Sequence, residues 1–183
     1  DRDVPAQQAP PAAPRRVHRR RHPTPPRGLV AVPGRGLSAA APRLSRLGAR
    51  DLDGRERVLP DDLPDDPCVV ILAFRRRQQR DVDAWVVALG PDVPVVEVPL
   101  MGRRWRRASG WIEGGMATGT PAPARSRVWC AYADVGRVLV TIGQRGTRDI
   151  AVTVMHRDGT VRAVARGPAA PAALAAVRAA LRQ

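Results

Sequence analysis

The 183-residue chain contains no Lys; its 31 basic residues are all Arg. It also has one Phe, one Tyr, two Cys and three His. Each scarcity narrows the chemistry. Cys68 and Cys130 are too far apart for a C-x-x-C pair, and with His18, His22 and His156 they form no metal-ligand spacing, so no metal and no other cofactor is expected. The two thiols read as small core residues. No apolar run approaches the ~20 residues that a bilayer-spanning helix needs, so no membrane span is expected. The cytoplasm is the expected location; the chain starts at Asp1 rather than Met, which leaves an upstream leader or anchor open.

What is abundant is equally one-sided. Ala, Pro, Gly, Val and Arg dominate, and the formal charge is +14. Arg without Lys is the pattern that a GC-rich coding sequence produces, so the charge alone does not require a polyanion. Nucleic acid is the alternative partner, reached through a basic tail. That tail is residues 1–43, Pro-rich and carrying "RRVHRRRH", with little apolar periodicity beyond "GLVAVPG". It cannot bury enough apolar surface to offset its conformational entropy, and disorder is expected there. Residues 44–183 are expected to form one domain.

Local signals lay out that domain. "ARDLDGRERVLP" places Asp53-Gly54 between two short segments, a hairpin signal. "CVVILAF" (68–74) reads as a buried strand, and Val82, Trp85, Val86 and Leu89 mark one face of a helix after it. "PVVEVPL" (94–100) is a second such strand, followed by Trp105, Ala108, Ile112 and Met116 at helical spacing. "RVWCAYA" (127–133) is a third, with Asp134 as N-cap of a helix through Val135, Val138, Leu139 and Ile142 that Gly143 stops. "IAVTVMH" and "TVRAVAR" flank Asp158-Gly159 as an antiparallel hairpin, and Leu174, Val177 and Leu181 lie on a closing helix. The order β-α-β-α-β-α-β-β-α implies an α/β domain, a mixed sheet with helices on both faces.

That order, with "HRDGTVRAVARGP" before the last helix, resembles the thioredoxin-like fold. The extra strand "RVWCAYAD" and the leading "DLDGRERVLPDDLPDDPCVVILAF" make it similar to the redoxin branch, the peroxiredoxin-like proteins of the alkyl hydroperoxide reductase and thiol-specific antioxidant type. The resemblance covers roughly residues 47–182. It implies chemistry in the loop after the first core strand, where a following helix N-terminus stabilises a thiolate. Here that loop is "FRRRQQRDVDAW", without Cys, Thr or Ser, so thiol catalysis has no nucleophile. Ile150 stands where the resemblance implies a cis-Pro in thioredoxins or an Arg in peroxiredoxins. Phe74, Arg75 and Trp85 are similar in pattern to thioredoxin-like assembly factors of the mitochondrial F-type ATPase.

The resemblance thus implies a redox-inactive protein acting in protein binding or assembly with an unidentified protein partner, and no enzyme. A thiol-disulfide oxidoreductase or peroxiredoxin-type antioxidant using Cys68 or Cys130 is the alternative. Arg75, Arg76, Arg77 and Arg80 are the candidate site, because guanidinium groups beside the free N–H groups of a helix start suit a small anion such as phosphate or carboxylate. The bland alternative is a solvated turn paired with Asp61, Asp62, Asp81 or Asp83. "MGRRWRRASGW" can stack bases, but the helical spacing of Trp105 predicts core packing, as for Trp85 and Trp129. "PDDLPDDP" lacks a calcium-loop pattern, "GRGLSAAAP" is too Pro-rich for a phosphate loop, and His156 reads as a surface turn residue.

Overall fold

The computed structural model describes residues 29–30 and 41–183. Along the chain run β1 (Leu29–Val30), β2 (Leu47–Asp51), β3 (Glu56–Leu59), β4 (Cys68–Ala73), α1 (Gln79–Leu89), β5 (Val95–Gly102), α2 (Ser109–Gly119), α3 (Ala122–Arg125), β6 (Trp129–Ala133), α4 (Val135–Thr141), β7 (Ala151–Met155), β8 (Val161–Arg166) and α5 (Pro171–Leu181). Short 3-10 turns, Arg76–Gln78 and Arg103–Ala108, lead into α1 and α2.

The strands form one sheet in the order β1-β8-β7-β4-β5-β6-β2-β3. β4, β5 and β6 run parallel, so their carboxyl ends share one edge, and the remaining pairs are antiparallel. β4 is buried almost throughout because side chains alternate between two cores. Cys68, Val70 and Leu72 face one core together with Leu100, Ala131, Val138 and Met155. Val69 and Ile71 face the other with Val82, Trp85 and Leu89 of α1 and Ala173 and Val177 of α5. α2 packs with Ile112 and Met116 over Cys130 and Tyr132. Helices on both faces are therefore required: each pleat of the central strands is apolar. Trp85 also donates its indole N–H to the carbonyl of Gly167 at 2.8 Å, fixing α1 to the end of β8.

Both Asp-Gly hairpins form as the sequence predicts. Gly54 (φ +84°) lies between β2 and β3 and Gly159 (φ +88°) between β7 and β8. The first is organised by the buried Asp51, whose carboxylate accepts the backbone N–H groups of Asp53 at 3.1 Å and Arg55 at 2.8 Å. It also takes Arg57 Nε and Nη2, at 3.0 and 2.8 Å. The Arg57 guanidinium in turn lies 5.5 Å from the centre of the Trp129 ring. Asp134 caps α4 through the N–H of Arg137 at 3.2 Å, and Gly143 (φ +64°) follows the helix end.

Two expectations are corrected. Residues 103–108 wind as a 3-10 turn, with three residues per turn, so the apolar set beginning at Trp105 is out of phase with α2. Trp105 is half exposed and Trp111 is 84% exposed, so core packing fails for Trp105 while it holds for Trp85 and Trp129. His156 is also no bare turn residue: its Nδ1 meets Asp66 and its Nε2 accepts Arg162 Nε at 2.7 Å. The expected disordered tail 1–43, and its nucleic-acid role, fall mostly outside the described residues. Within the tail Leu29 and Val30 pair with Ala165 and Val164, and Arg43 pairs with Thr160. Among the described residues no helix is long and apolar enough to cross a membrane.

Candidate functional site

The carboxyl edge of β4 is where the candidate site falls, and there the chain builds a joint around Gln78. β4 stops at Ala73, Phe74 and Arg75 remain extended, and the 3-10 turn from Arg76 starts the helix. Gln78, 3% exposed, folds back beneath this turn. Its Oε1 accepts the N–H groups of Phe74 at 2.8 Å and Arg75 at 3.0 Å. Its Nε2 donates to the carbonyls of Thr147 at 3.1 Å and Arg148 at 2.9 Å. Both acceptor sites and both donors of one amide are used, and only this orientation of the amide satisfies all four partners. The half of the bond set that reaches back to the helix start is what a Gln at the third helical position commonly does. The other half ties the loop to the segment just ahead of β7.

Arg75 reinforces the same joint, donating Nε and Nη2 to the Thr147 hydroxyl at 3.3 and 3.0 Å. Arg75, Arg76, Arg77 and Arg80 are all exposed and make no ion pair among the described residues. Three of the four acidic partners expected for a solvated turn are engaged elsewhere. Asp61 pairs with Arg46, Asp62 accepts the N–H of Val58, and Asp83 accepts from Gln79. The four Arg side chains line neither the cleft at Gly48 and Tyr132 nor the one at Gly143 and Arg166. The N–H groups of Phe74 and Arg75 are already occupied by Gln78, which leaves an anion in this loop mainly the guanidinium groups.

Ile150 follows the 147–149 segment, is fully buried against Val69, Ile71 and Trp85, and offers no polar group to the loop. Its carbonyl accepts the N–H of Gly167 at 3.2 Å. The two cis peptide bonds among the described residues precede Pro60 and Pro67.

Neither thiol reaches this edge. Cys68 begins β4, at the opposite end of the strand, and is fully buried with Sγ 3.3 Å from the carbonyl of Pro94. Cys130 is mid-strand in β6, also fully buried, with Sγ 3.8 Å from Met116 Sδ. Burial pushes Cys68 and Cys130 up to about 12, and nearby Asp65 and Glu113, respectively, add to the rise. Desolvation penalises the thiolate, the opposite of what a redox-active cysteine requires.

This displacement makes the fold sensitive to alkali. Each thiol binds its proton more tightly in the folded than in the unfolded chain. Stability from the two groups is therefore complete below pH 9 and is lost as the pH rises from 9 towards 12. Urea midpoints measured between pH 8 and 11 are expected to fall. The double variant Cys68→Ala/Cys130→Ala should show a flatter alkaline limb; an unchanged slope would place the loss in other groups.

Solved structures supply the comparison. BsSco, a member of the Sco family of cytochrome c oxidase assembly proteins, superposes with a TM-score of 0.53 at 8% identity over 78% of this chain and 95% of that one. The chain has a thioredoxin-like fold. A thio-disulfide isomerase from Thermus thermophilus aligns at 0.49 with 18% identity over 78% of this chain and 97% of that one. A peroxiredoxin-like protein from Aquifex aeolicus aligns at 0.46 with 13% identity over 77% and 86%. No family model matches the sequence, and no curated protein matches it either. At these identities the likeness concerns the thioredoxin-like fold alone.

The residue that sequence reading missed is Gln78. Its position before an apolar-periodic helix was a legible capping signal. Its bonds to Thr147 and Arg148 span about seventy residues of chain and leave no local trace.

Proposed function

We propose that this chain is a thioredoxin-like module of the redoxin branch that works by binding or assembling a protein partner and does not perform dithiol or peroxide chemistry. The observation that carries the reading is Gln78. At the sheet edge where a redox member of this fold presents a nucleophile, the chain holds a buried amide whose hydrogen-bonding capacity is used up by two backbone loops. A group with no free donor or acceptor stabilises structure and offers nothing to a substrate. The buried thiols support the same reading, because nucleophilic attack needs an accessible thiolate.

What the joint leaves facing solvent is cationic. Arg76 and Arg77 stand clear on the turn and Arg80 at the start of α1, with Arg75 beside them, and this is the surface proposed to meet an anionic group, on a small molecule or on the partner.

Two measurements test the reading. Insulin reduction by dithiothreitol and consumption of hydrogen peroxide should proceed at the protein-free rate for the wild type and for Cys68→Ala/Cys130→Ala alike. Turnover by the wild type that the double variant loses would reinstate an oxidoreductase. The triple variant Arg75→Gln/Arg76→Gln/Arg77→Gln, shown folded by circular dichroism, should lose affinity for citrate at least fivefold; unchanged affinity removes the Arg loop from the proposal.

A further inference from the structure

Two strands away along the same sheet edge lies a cleft of about 500 Å3, whose lining includes Arg46, Gly48, Arg103, Arg106 and Tyr132. Strand register explains why it exists. β2 and β6 pair through Ala49 with Ala131 and Arg50 with Cys130, and the same register continued sets Gly48 opposite Tyr132. A glycine there leaves the space that a side chain would fill: a Cβ at Gly48 meets nothing within 4 Å. Alternation along β2 sends Arg46 and Arg50 to the same face as Gly48, so the gap is flanked by guanidinium groups. Arg103 and Arg106 close it from the 3-10 turn.

The polar groups around the cleft are unevenly satisfied. Arg46 pairs with Asp61 at 2.6 Å, and Arg50 is held by Glu56. Arg103 and Arg106 make no ion pair among the described residues. Tyr132 is 8% exposed, and its hydroxyl is buried beside the Glu113 carboxylate of α2. Burial and the neighbouring Glu113 carboxylate raise the phenol well above its ordinary range, so it remains a donor at neutral pH. Two unpaired guanidinium groups on one cleft hold positive charge that an anion can neutralise.

We propose that this cleft binds a phosphoryl oxyanion, as inorganic phosphate or as a small organic phosphate monoester. The proposal is independent of the function assigned to the Gln78 edge. A phosphoryl group brings three acceptor oxygens and up to two negative charges, which the two unpaired guanidinium forks of Arg103 and Arg106 can meet, whereas a carboxylate has only two oxygens. The volume exceeds what phosphate alone fills and lies in the range of small-molecule pockets, which favours the monoester.

Isothermal titration calorimetry on the full chain with inorganic phosphate, phenyl phosphate and benzoate tests it. Saturable binding of phenyl phosphate is expected, at least tenfold tighter than benzoate. A tighter fit for phenyl phosphate than for inorganic phosphate assigns the cleft to an ester, and equal affinities assign it to phosphate itself. Arg103→Gln/Arg106→Gln should weaken phenyl phosphate at least tenfold. Gly48→Leu should do the same by filling the gap from a position with room for a side chain, with the circular dichroism spectrum and urea midpoint retained. Arg182→Gln, an exposed charge just past the end of α5, should leave the affinity unchanged. Absence of saturation, benzoate binding as tight as phenyl phosphate, or retained affinity in either cleft variant would overturn the proposal.

Discussion

Gln78→Leu is expected to lower stability by about 3 kcal/mol, because it deprives two N–H groups and two carbonyls of their partner at once. Leu has nearly the volume of Gln, so the loss reports hydrogen bonding more than a cavity. Water reaches part of the loop, which is why the figure stays below the sum of four buried bonds. Chemical denaturation at pH 7 measures it, and an effect under about 1 kcal/mol would mean that the two loops do not depend on the amide. Gln78→Glu is the sharper version. A carboxylate can accept from Phe74 and Arg75, but it sets negative oxygen against the carbonyls of Thr147 and Arg148. The folded chain would then favour the protonated acid, raising its pKa above the unfolded value of about 4.3. Stability is accordingly expected to be retained below pH 4 and lost as the pH rises towards neutrality, relative to wild type at each pH.

Gly159→Ala should be costlier than the same change at Gly54, although the two glycines occupy nearly the same backbone conformation. Both have φ values that disfavour an L side chain, +88° and +84°. That shared conformational cost is about 1 kcal/mol. At Gly54 the added Cβ meets nothing within 4 Å, whereas at Gly159 it falls 2.5 Å from the carbonyl oxygen of Leu44. The approach is close because Leu44 donates its N–H to the Gly159 carbonyl at 2.9 Å while Val161 donates to Pro42 at 2.8 Å, seating residues 42–44 across the hairpin. Gly159→Ala must either push that segment off or strain the turn, and roughly 3 kcal/mol is expected in total. Urea denaturation of the pair isolates the Leu44 contact as the difference; equal losses at the two sites would show that 42–44 yields freely.

The elements that were legible in the sequence are those whose cause is local. Asp53-Gly54 and Asp158-Gly159 demanded their turns, Asp134 its helix, and Val82, Trp85 and Leu89 their buried face. α2 was harder for a physical reason. Its apolar residues are diluted by Gly110, Gly114, Gly115 and Gly119, and the 3-10 turn ahead of it shifts the phase, so Trp105 and Trp111 emerge into solvent. β1 is two residues long, and its signal is the pairing with β8 that lies over a hundred positions away. The candidate site divides in the same way. The missing nucleophile and the exposed Arg run were readable from residue types, but the Gln78 joint and the cleft beside Gly48 arise from strand register and long-range contact. Asp66 and Arg162 on His156 belong to this second class, since Asp66 approaches from ninety residues away.

The proposed binding role leaves no thiolate available at the carboxyl edge of the sheet. Alkylation of the native chain by iodoacetamide at pH 8, counted by intact mass, tests it most directly. No label is expected at Cys68 or Cys130 on the timescale on which a free thiol is modified, and two labels are expected after unfolding in guanidinium chloride. A native label at either cysteine, formed as fast as on an unfolded chain, would contradict it.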